Sequence, residues 1–88
     1  MSEANSRVAK VAGLTLAGIG LSHFVAPQLY TSLTEAAFPD NTRRHIYIDG
    51  GIETALGLAL AVPKTRKLAV VGLLGYGAYL VGNVVRNR

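Results

Sequence analysis

Residues Ile46–Val62 read IYIDGGIETALGLALAV and are stopped by Pro63. The second half is continuous apolar residue and glycine, the composition of a helix surrounded by lipid or by protein. The first half carries Asp49 and Glu53, which a hydrocarbon core strongly disfavours unless they are paired or wetted. Spaced four apart, they share one helix face, and His45 lies one turn earlier on that face. An apolar helix with an acidic column must turn that column away from its surroundings. The stretch therefore predicts a helical fold and the place where its chemistry collects.

Two further apolar stretches flank it. Val8–Val25 follows Arg7, contains Lys10 and runs for 18 residues, while Leu68–Val85 runs for 18 residues without a charge before Arg86-Asn87-Arg88. At 1.5 Å per residue, each gives roughly 27 Å of helix, just enough to cross a hydrocarbon core. Lys10 can snorkel to the headgroups. Leu68–Val85 has no polar face beyond Tyr76, Tyr79 and Asn83, and a chain of 88 residues offers too little protein to enclose it. The sequence thus predicts one all-α, membrane-embedded domain, residues 1–88, with three transmembrane helices over 8–25, 46–62 and 68–85. A soluble three-helix bundle is the competing reading, and the mean hydropathy of +0.33 is modest. The basic start before an apolar run also has the outline of a signal peptide. Small residues at the cleavage spacing do not precede a plausible mature start, so retention is expected.

The long connection is Gln28–Arg44, QLYTSLTEAAFPDNTRR, bracketed by Pro27 and Pro39. Tyr30, Leu33, Ala37 and Phe38 have the spacing of a short amphipathic helix over 30–38 lying at an interface, with a plain loop as the alternative. Pro39-Asp40-Asn41 reads as a turn, and Asp40 or Asn41 as a cap for the next helix. The second connection, PKTRK at 63–67, is tight and basic.

Charged residues make up only 16% of the chain, against about a quarter in soluble domains. The absence of cysteine excludes disulfides, thiol catalysis and cysteine-ligated metal centres within this chain. The net charge of +4 comes from basic residues beside apolar runs, the pattern of membrane flanks and not of a nucleic-acid surface. With three spans, Arg7, Lys10, Lys64, Arg66 and Lys67 face Arg43, Arg44, Arg86 and Arg88 across the membrane. That balance leans towards a cytoplasmic N-terminus. No nucleophile triad, phosphate loop or dinucleotide fingerprint is present, because Gly72, Gly75 and Gly77 lie inside a hydrophobic span. No catalytic or metal-binding residue is assigned.

Three antiparallel spans bring the end of the first helix, the start of the second and the end of the third to one side. His23, Asp49 and Asn83 then reach similar depths, Glu53 lies one turn deeper, and Arg43, Arg44 and His45 sit just above. Three readings of this cluster compete. It is a structural network that fixes helix register, or a site for a small molecule such as a quinone headgroup or for a proton path. A metal site of His23, His45, Asp49 and Glu53 is the third, although the spacing matches no metal motif. Separately, Ala9, Gly13 and Ala17 recur every four residues in the first helix, as do Gly51, Ala55 and Ala59 in the second and Ala78 and Gly82 in the third. Small residues at this spacing let backbones approach closely in lipid, and Gly13, Gly51, Gly57 and Gly82 are the expected packing positions.

Several of these segments together resemble the DoxX-like family of small bacterial membrane proteins. The likeness is carried by GLSHFVAPQLY (Gly20–Tyr30), FPD (Phe38–Asp40), DGGIETALGLALAVPKTRKLA (Asp49–Ala69) and Asn83. In that family a His-Phe followed by Pro ends the first helix, matched here by His23-Phe24 and Pro27. A Pro closes the loop (Pro39), Gly-x-x-Glu opens the next helix (Gly50–Glu53), and Gly-Leu-x-Leu leads to Pro-x-Thr-Arg (Gly57–Leu60, Pro63–Arg66). The family commonly has four helices and a Pro shortly before the Asn, whereas Val81-Gly82 precede Asn83 here. The resemblance implies a four-helix-bundle-like fold lacking the last helix, in a bacterial plasma (inner) membrane. Relatives are tied to quinone-linked sulfur oxidation, oxidative-stress complexes and assembly roles.

The leading expectation is a multi-pass membrane protein acting as an accessory or assembly subunit of a larger bacterial membrane complex, and not an enzyme in its own right. His23, Asp49, Glu53, Asn83, Arg44 and His45 would form its polar cluster. Its partners would be the lipid bilayer and a larger membrane protein or further copies of itself. The alternatives are a quinone-linked redox component and an oligomeric transporter of ions or small molecules. Quinone is the one cofactor in view, and nucleic acid is not expected.

Overall fold

The computed structural model describes residues 3–88, all of them in helices or short connections. Met1 and Ser2, the tip of the polar start, lie outside the described residues. Helix α1 is Glu3–Val25 and α3 is Thr42–Ala61. Between them a 3₁₀ turn, Pro27–Tyr30, runs into the short helix α2, Thr31–Ala37. A second 3₁₀ turn, Pro63–Thr65, leads into α4, Arg66–Asn87. Each long helix begins before its apolar window, because intrahelical hydrogen bonds continue through polar flanks that hydropathy does not register.

Helix α3 is the centre, with α1 packed closely along it and α4 lying less extensively against a neighbouring face. Helix α2 crosses the open end between α3 and α4. The resulting slab measures 43 × 26 × 16 Å. Two helical segments, Ala4–Val25 and Pro63–Asn87, have the length and composition to cross a membrane, with mean hydropathies of 1.5 and 1.8. That is two where the sequence predicts three. Helix α3 has the length, but Arg43, Arg44, Asp49 and Glu53 dilute its apolar character. Its partners account for those charges, as described below.

The α1–α3 contact is made by backbone against backbone. A Cβ on Gly13 would come within 2.5 Å of the Gly57 carbonyl oxygen and 2.6 Å of the Ala61 amide nitrogen. A Cβ on Gly20 would fall 2.5 Å from the Thr54 nitrogen and 2.6 Å from the Gly50 oxygen. One on Gly50 would meet His23 Cβ at 2.5 Å. The seam is therefore Gly13, Ala17, Gly20 and His23 against Gly50, Thr54, Gly57 and Ala61. Thr54 fits because its hydroxyl donates to the Gly50 carbonyl of its own helix at 2.7 Å. Of the packing glycines read from the sequence, Gly13 and Gly57 lie in this seam. Gly51 and Gly82 do not: a Cβ on Gly51 would meet only Phe24 Cζ, at 4.0 Å, and one on Gly82 would meet nothing within 4 Å. Gly50 and Gly51 point about 100° apart on the helix, so the true seam begins one residue earlier than the one the sequence predicts.

Two connections hold the ends. At the loop end Asn41 adopts the left-handed conformation (φ 57°, ψ 38°) and turns the chain into α3. Asn tolerates that region better than most residues. Its carbonyl accepts from the His45 amide at 3.1 Å, and its side chain makes no cap hydrogen bond. At the other end the PKTRK turn caps α3 from outside. Thr65 Oγ1 donates to the Ala59 carbonyl at 2.7 Å, Arg66 Nε to Leu60 at 2.8 Å, and Arg66 Nη2 to Ala61 at 3.1 Å. The last carbonyls of a helix lack intrahelical partners, and a cation there also meets the negative end of the helix dipole. Arg66 is only 8% exposed and also reaches Ser6 Oγ of α1 at 3.3 Å. It is a built-in cap, unlike the freely solvated flanking charges of its neighbours Lys64 and Lys67.

The seam separates adjacent glycines by outcome. Gly50→Leu should destabilise the fold by ~2 kcal/mol or more, since the obstructing groups include backbone. Gly51→Leu should leave stability unchanged or slightly raised, by up to ~1 kcal/mol from helix propensity. Thermal unfolding in detergent, followed by circular dichroism, measures both. Arg66→Met should cost about 2–3 kcal/mol in the same assay by stranding two helix-terminal carbonyls.

Candidate functional site

Buried polarity gathers where α1 ends, α3 begins and α2 crosses above them. His23 closes the seam of α1 and is 4% exposed, and Asp49, one residue before Gly50, is also 4% exposed. Glu53 lies one turn further along α3. The close approach of the two backbones brings these side chains together: His23 Nε2 is 3.6 Å from Glu53 Oε2. The other ring nitrogen, Nδ1, lies 2.8 Å from the Ile19 carbonyl. A carbonyl can only accept, so Nδ1 carries the proton and Nε2 is the nitrogen that meets the carboxylate. When Nε2 is protonated as well, the two side chains form a buried ion pair.

Helix α4 completes the constellation through Tyr76, whose hydroxyl donates to Glu53 Oε2 at 2.8 Å. From the 3₁₀ turn, Tyr30 stacks on the His23 imidazole with centroids 3.7 Å apart and planes 12° from parallel. Tyr30 and Ser22 hydroxyls are hydrogen-bonded. The imidazole is thus fixed by the Ile19 carbonyl along one edge, Glu53 beside the other nitrogen and the Tyr30 ring against its face. Asp49 differs: its Oδ1 is a buried side-chain oxygen without a hydrogen-bond partner among the described residues. Such an acceptor costs about 1–3 kcal/mol until something donates to it.

These groups line a cavity of about 160 Å³. Its polar wall includes His23, Thr34, Asp49, Glu53 and Tyr76, and Leu33, Phe38, Leu80 and Val84 supply part of its apolar wall. Over it, α2 is pinned on both sides. Asn87 Nδ2 of α4 donates to the Ala37 carbonyl at 2.9 Å, and Thr42 Oγ1 of α3 donates to the Phe38 carbonyl at 2.6 Å. The Phe38 ring stacks on His45 at 4.1 Å, with planes 4° apart, and tilts against Tyr79 at 5.3 Å.

Of the residues singled out in the sequence, His23, Asp49 and Glu53 share this cavity. His45 belongs to the cover, through Phe38, and its Nδ1 lies 3.2 Å from the Asn41 carbonyl. Arg44 is exposed. Asn83 donates to the Tyr79 carbonyl of its own helix at 2.8 Å and does not line the cavity. The cavity positions of α4 are Tyr76, Leu80 and Val84, spaced by four, and Asn83 is rotated off that line. Tyr76 and Tyr30 are the contributors that sequence reasoning did not place in the cluster. The period of four in α4 was a signal for Tyr76, while Tyr30 depends on the turn after Pro27. No group of three or more His, Cys, Asp or Glu is arranged to hold a metal ion among the described residues.

Fold and cavity together define a small all-α protein with two helices apolar enough for a membrane and a buried acidic pocket at one end. Residues 12–87 match the family described as "Domain of unknown function (DUF8561)", and the chain belongs to that family. The match includes every residue of the cavity. No curated protein and no solved structure matches the chain significantly.

The Tyr76 bond is open to direct measurement. Tyr76→Phe removes a donor to a buried carboxylate and should lower stability by about 1–3 kcal/mol. Tyr79→Phe keeps the ring against Phe38 and should change it by less than ~0.5 kcal/mol. Parallel unfolding curves in one detergent compare the two.

Proposed function

We propose that this protein is an integral membrane protein with three spanning helices whose loop-end cavity binds a small molecule. Membrane embedding is supported by the outer faces of the slab. Val8, Val25, Leu68, Val71 and Leu74 are each at least two-thirds exposed, and only 6% of the apolar window in Pro63–Asn87 is buried. Apolar surface on that scale calls for lipid or a partner. The charges of α3 are compatible with a third span: Glu53 is paired with His23 and Tyr76, Asp49 faces inward, and Arg43 and Arg44 lie in its first turn, within reach of headgroups.

The observation that carries the binding reading is Asp49 Oδ1, buried and unpartnered on the wall of a 160 Å³ cavity. A network serving only to lock helix register would satisfy its own members. Kinship with DoxX-like proteins, and with it a bacterial plasma-membrane location, belongs to the same proposal. It rests on His23-Phe24, Pro27, Glu53 and the Pro63–Arg66 turn. In that setting a quinol head is one candidate ligand, with His23 and Glu53 as its proton partners.

A second reading, an accessory subunit docked on a larger membrane protein, is favoured by the outer face of α4. There Gly75 and Gly82 have nothing within 4 Å of a Cβ, and Ala78 between them is exposed. Small residues on an uncovered face permit close helix contact. Native mass spectrometry of the protein released from membranes separates the two readings. A small bound mass that is lost in Ala37→Leu, which fills the cavity, supports binding. A stoichiometric protein partner lost in Gly75→Leu supports docking. A bare chain, unaffected by either change, would sink both.

A further inference from the structure

The hydrogen-bonding balance of the cavity selects its ligand. Resting on the binding reading above, we infer that the cavity takes a small organic cation, a primary ammonium on an apolar body of about one ring. Apart from the Thr34 hydroxyl, which can donate or accept and carries no charge, the groups on its polar wall are acceptors or already committed donors. The Tyr76 hydroxyl is used on Glu53, and His23 Nδ1–H is used on Ile19. The second proton of the imidazole, when present, faces Glu53. That pair is then neutral, and Asp49 is the surplus carboxylate, 4% exposed and with an oxygen that accepts nothing.

No Lys or Arg lines the cavity to neutralise it. Arg43 bonds Tyr47 on an exposed surface of α3, and Arg44 is exposed. A ligand that only accepts, such as an oxidised quinone, leaves Asp49 unsatisfied. A neutral hydroxyl supplies one donor and no charge. An ammonium supplies up to three donors and the missing positive charge, and charge-assisted hydrogen bonds are roughly twice as strong as neutral ones. The rest of the wall suits the body of such a molecule. Tyr30, Phe38 and Tyr76 contribute aromatic surface, which favours a cation, and Leu33, Leu80 and Val84 are aliphatic. The volume of 160 Å³ is close to that of apolar protein cavities that hold a benzene ring.

The test uses the full chain in detergent micelles with isotope-labelled His and Tyr, titrated separately with benzylammonium, benzyl alcohol and hydroquinone. Nuclear magnetic resonance follows the His23, Tyr30 and Tyr76 signals. Benzylammonium should give saturable shifts at these residues, with an affinity at least about tenfold above that of benzyl alcohol. The comparison within the unmodified protein needs no variant. In Asp49→Asn the preference for the cation should disappear while benzyl alcohol binds as before. Equal affinity for benzylammonium and benzyl alcohol overturns the cationic ligand and leaves the binding cavity standing. So does tighter binding of hydroquinone, which would assign a quinol, and so does a preference that survives in Asp49→Asn. If none of the three probes shifts the cavity residues saturably, the binding reading itself fails.

Discussion

The close contact of two backbones, α1 against α3, is the constraint on which the rest depends. Where Gly13 faces Gly57 and Gly20 faces Gly50, there is no room for a Cβ on either side. Helices this close gain dispersion contacts along their main chains, which matters most where lipid offers side chains no hydrophobic incentive to leave it. The contact also sets register. With Gly20 against Gly50 and Thr54, His23 falls beside Gly50, and its imidazole meets Glu53 one turn down. A larger residue in the seam would move histidine and carboxylate apart together with the helices. Packing and chemistry are thus one arrangement seen at two depths.

The loop end carries the polarity because three separate constraints converge there. The seam delivers His23, the acidic column of α3 delivers Asp49 and Glu53, and α2 roofs them while bonded to α3 and α4 through Thr42 and Asn87. Helix α4 touches α3 less extensively than α1 does, and its contribution is concentrated in the Tyr76 bond and the apolar wall. Buried carboxylates in such a place are tolerable when donors surround them, which holds for Glu53. Asp49 is more deeply buried and lacks the donors, so the site is finished on one side only.

Much of this was legible in the sequence, in proportion to how local the signal is. Hydropathy marked all three long helices, and the spacing of Asp49, Glu53 and His45 placed them on one face. Depth counting brought His23 level with Asp49. It could not supply azimuth: Asn83 has the right height on α4 but is rotated off the row of cavity residues, while Tyr76, about two turns deeper, lies in that row. The same ambiguity displaced the α3 seam from Gly50 to Gly51, two adjacent residues that a spacing rule treats alike. Arg66 read as one cation among several in a basic turn, and its role as a cap depends on where the α3 carbonyls end. Tyr30 comes to His23 only because the chain reverses after Pro27.

The corner between α3 and α4 has a consequence for the order in which the molecule assembles. The hydrogen bonds from Thr65 and Arg66 to the end of α3 span six residues or fewer. A corner closed by such local bonds forgoes little chain entropy and forms as soon as its residues have been synthesised. The α1–α3 seam, by contrast, joins Gly13 to a residue in the second half of the chain. Helix α1, made before α3, is therefore the one that waits, with its small-residue face of Gly13, Ala17 and Gly20 uncovered until α3 arrives. During that interval any other helix with a small-residue face is a competitor for it, and the speed with which α3 follows becomes part of what makes the fold reliable.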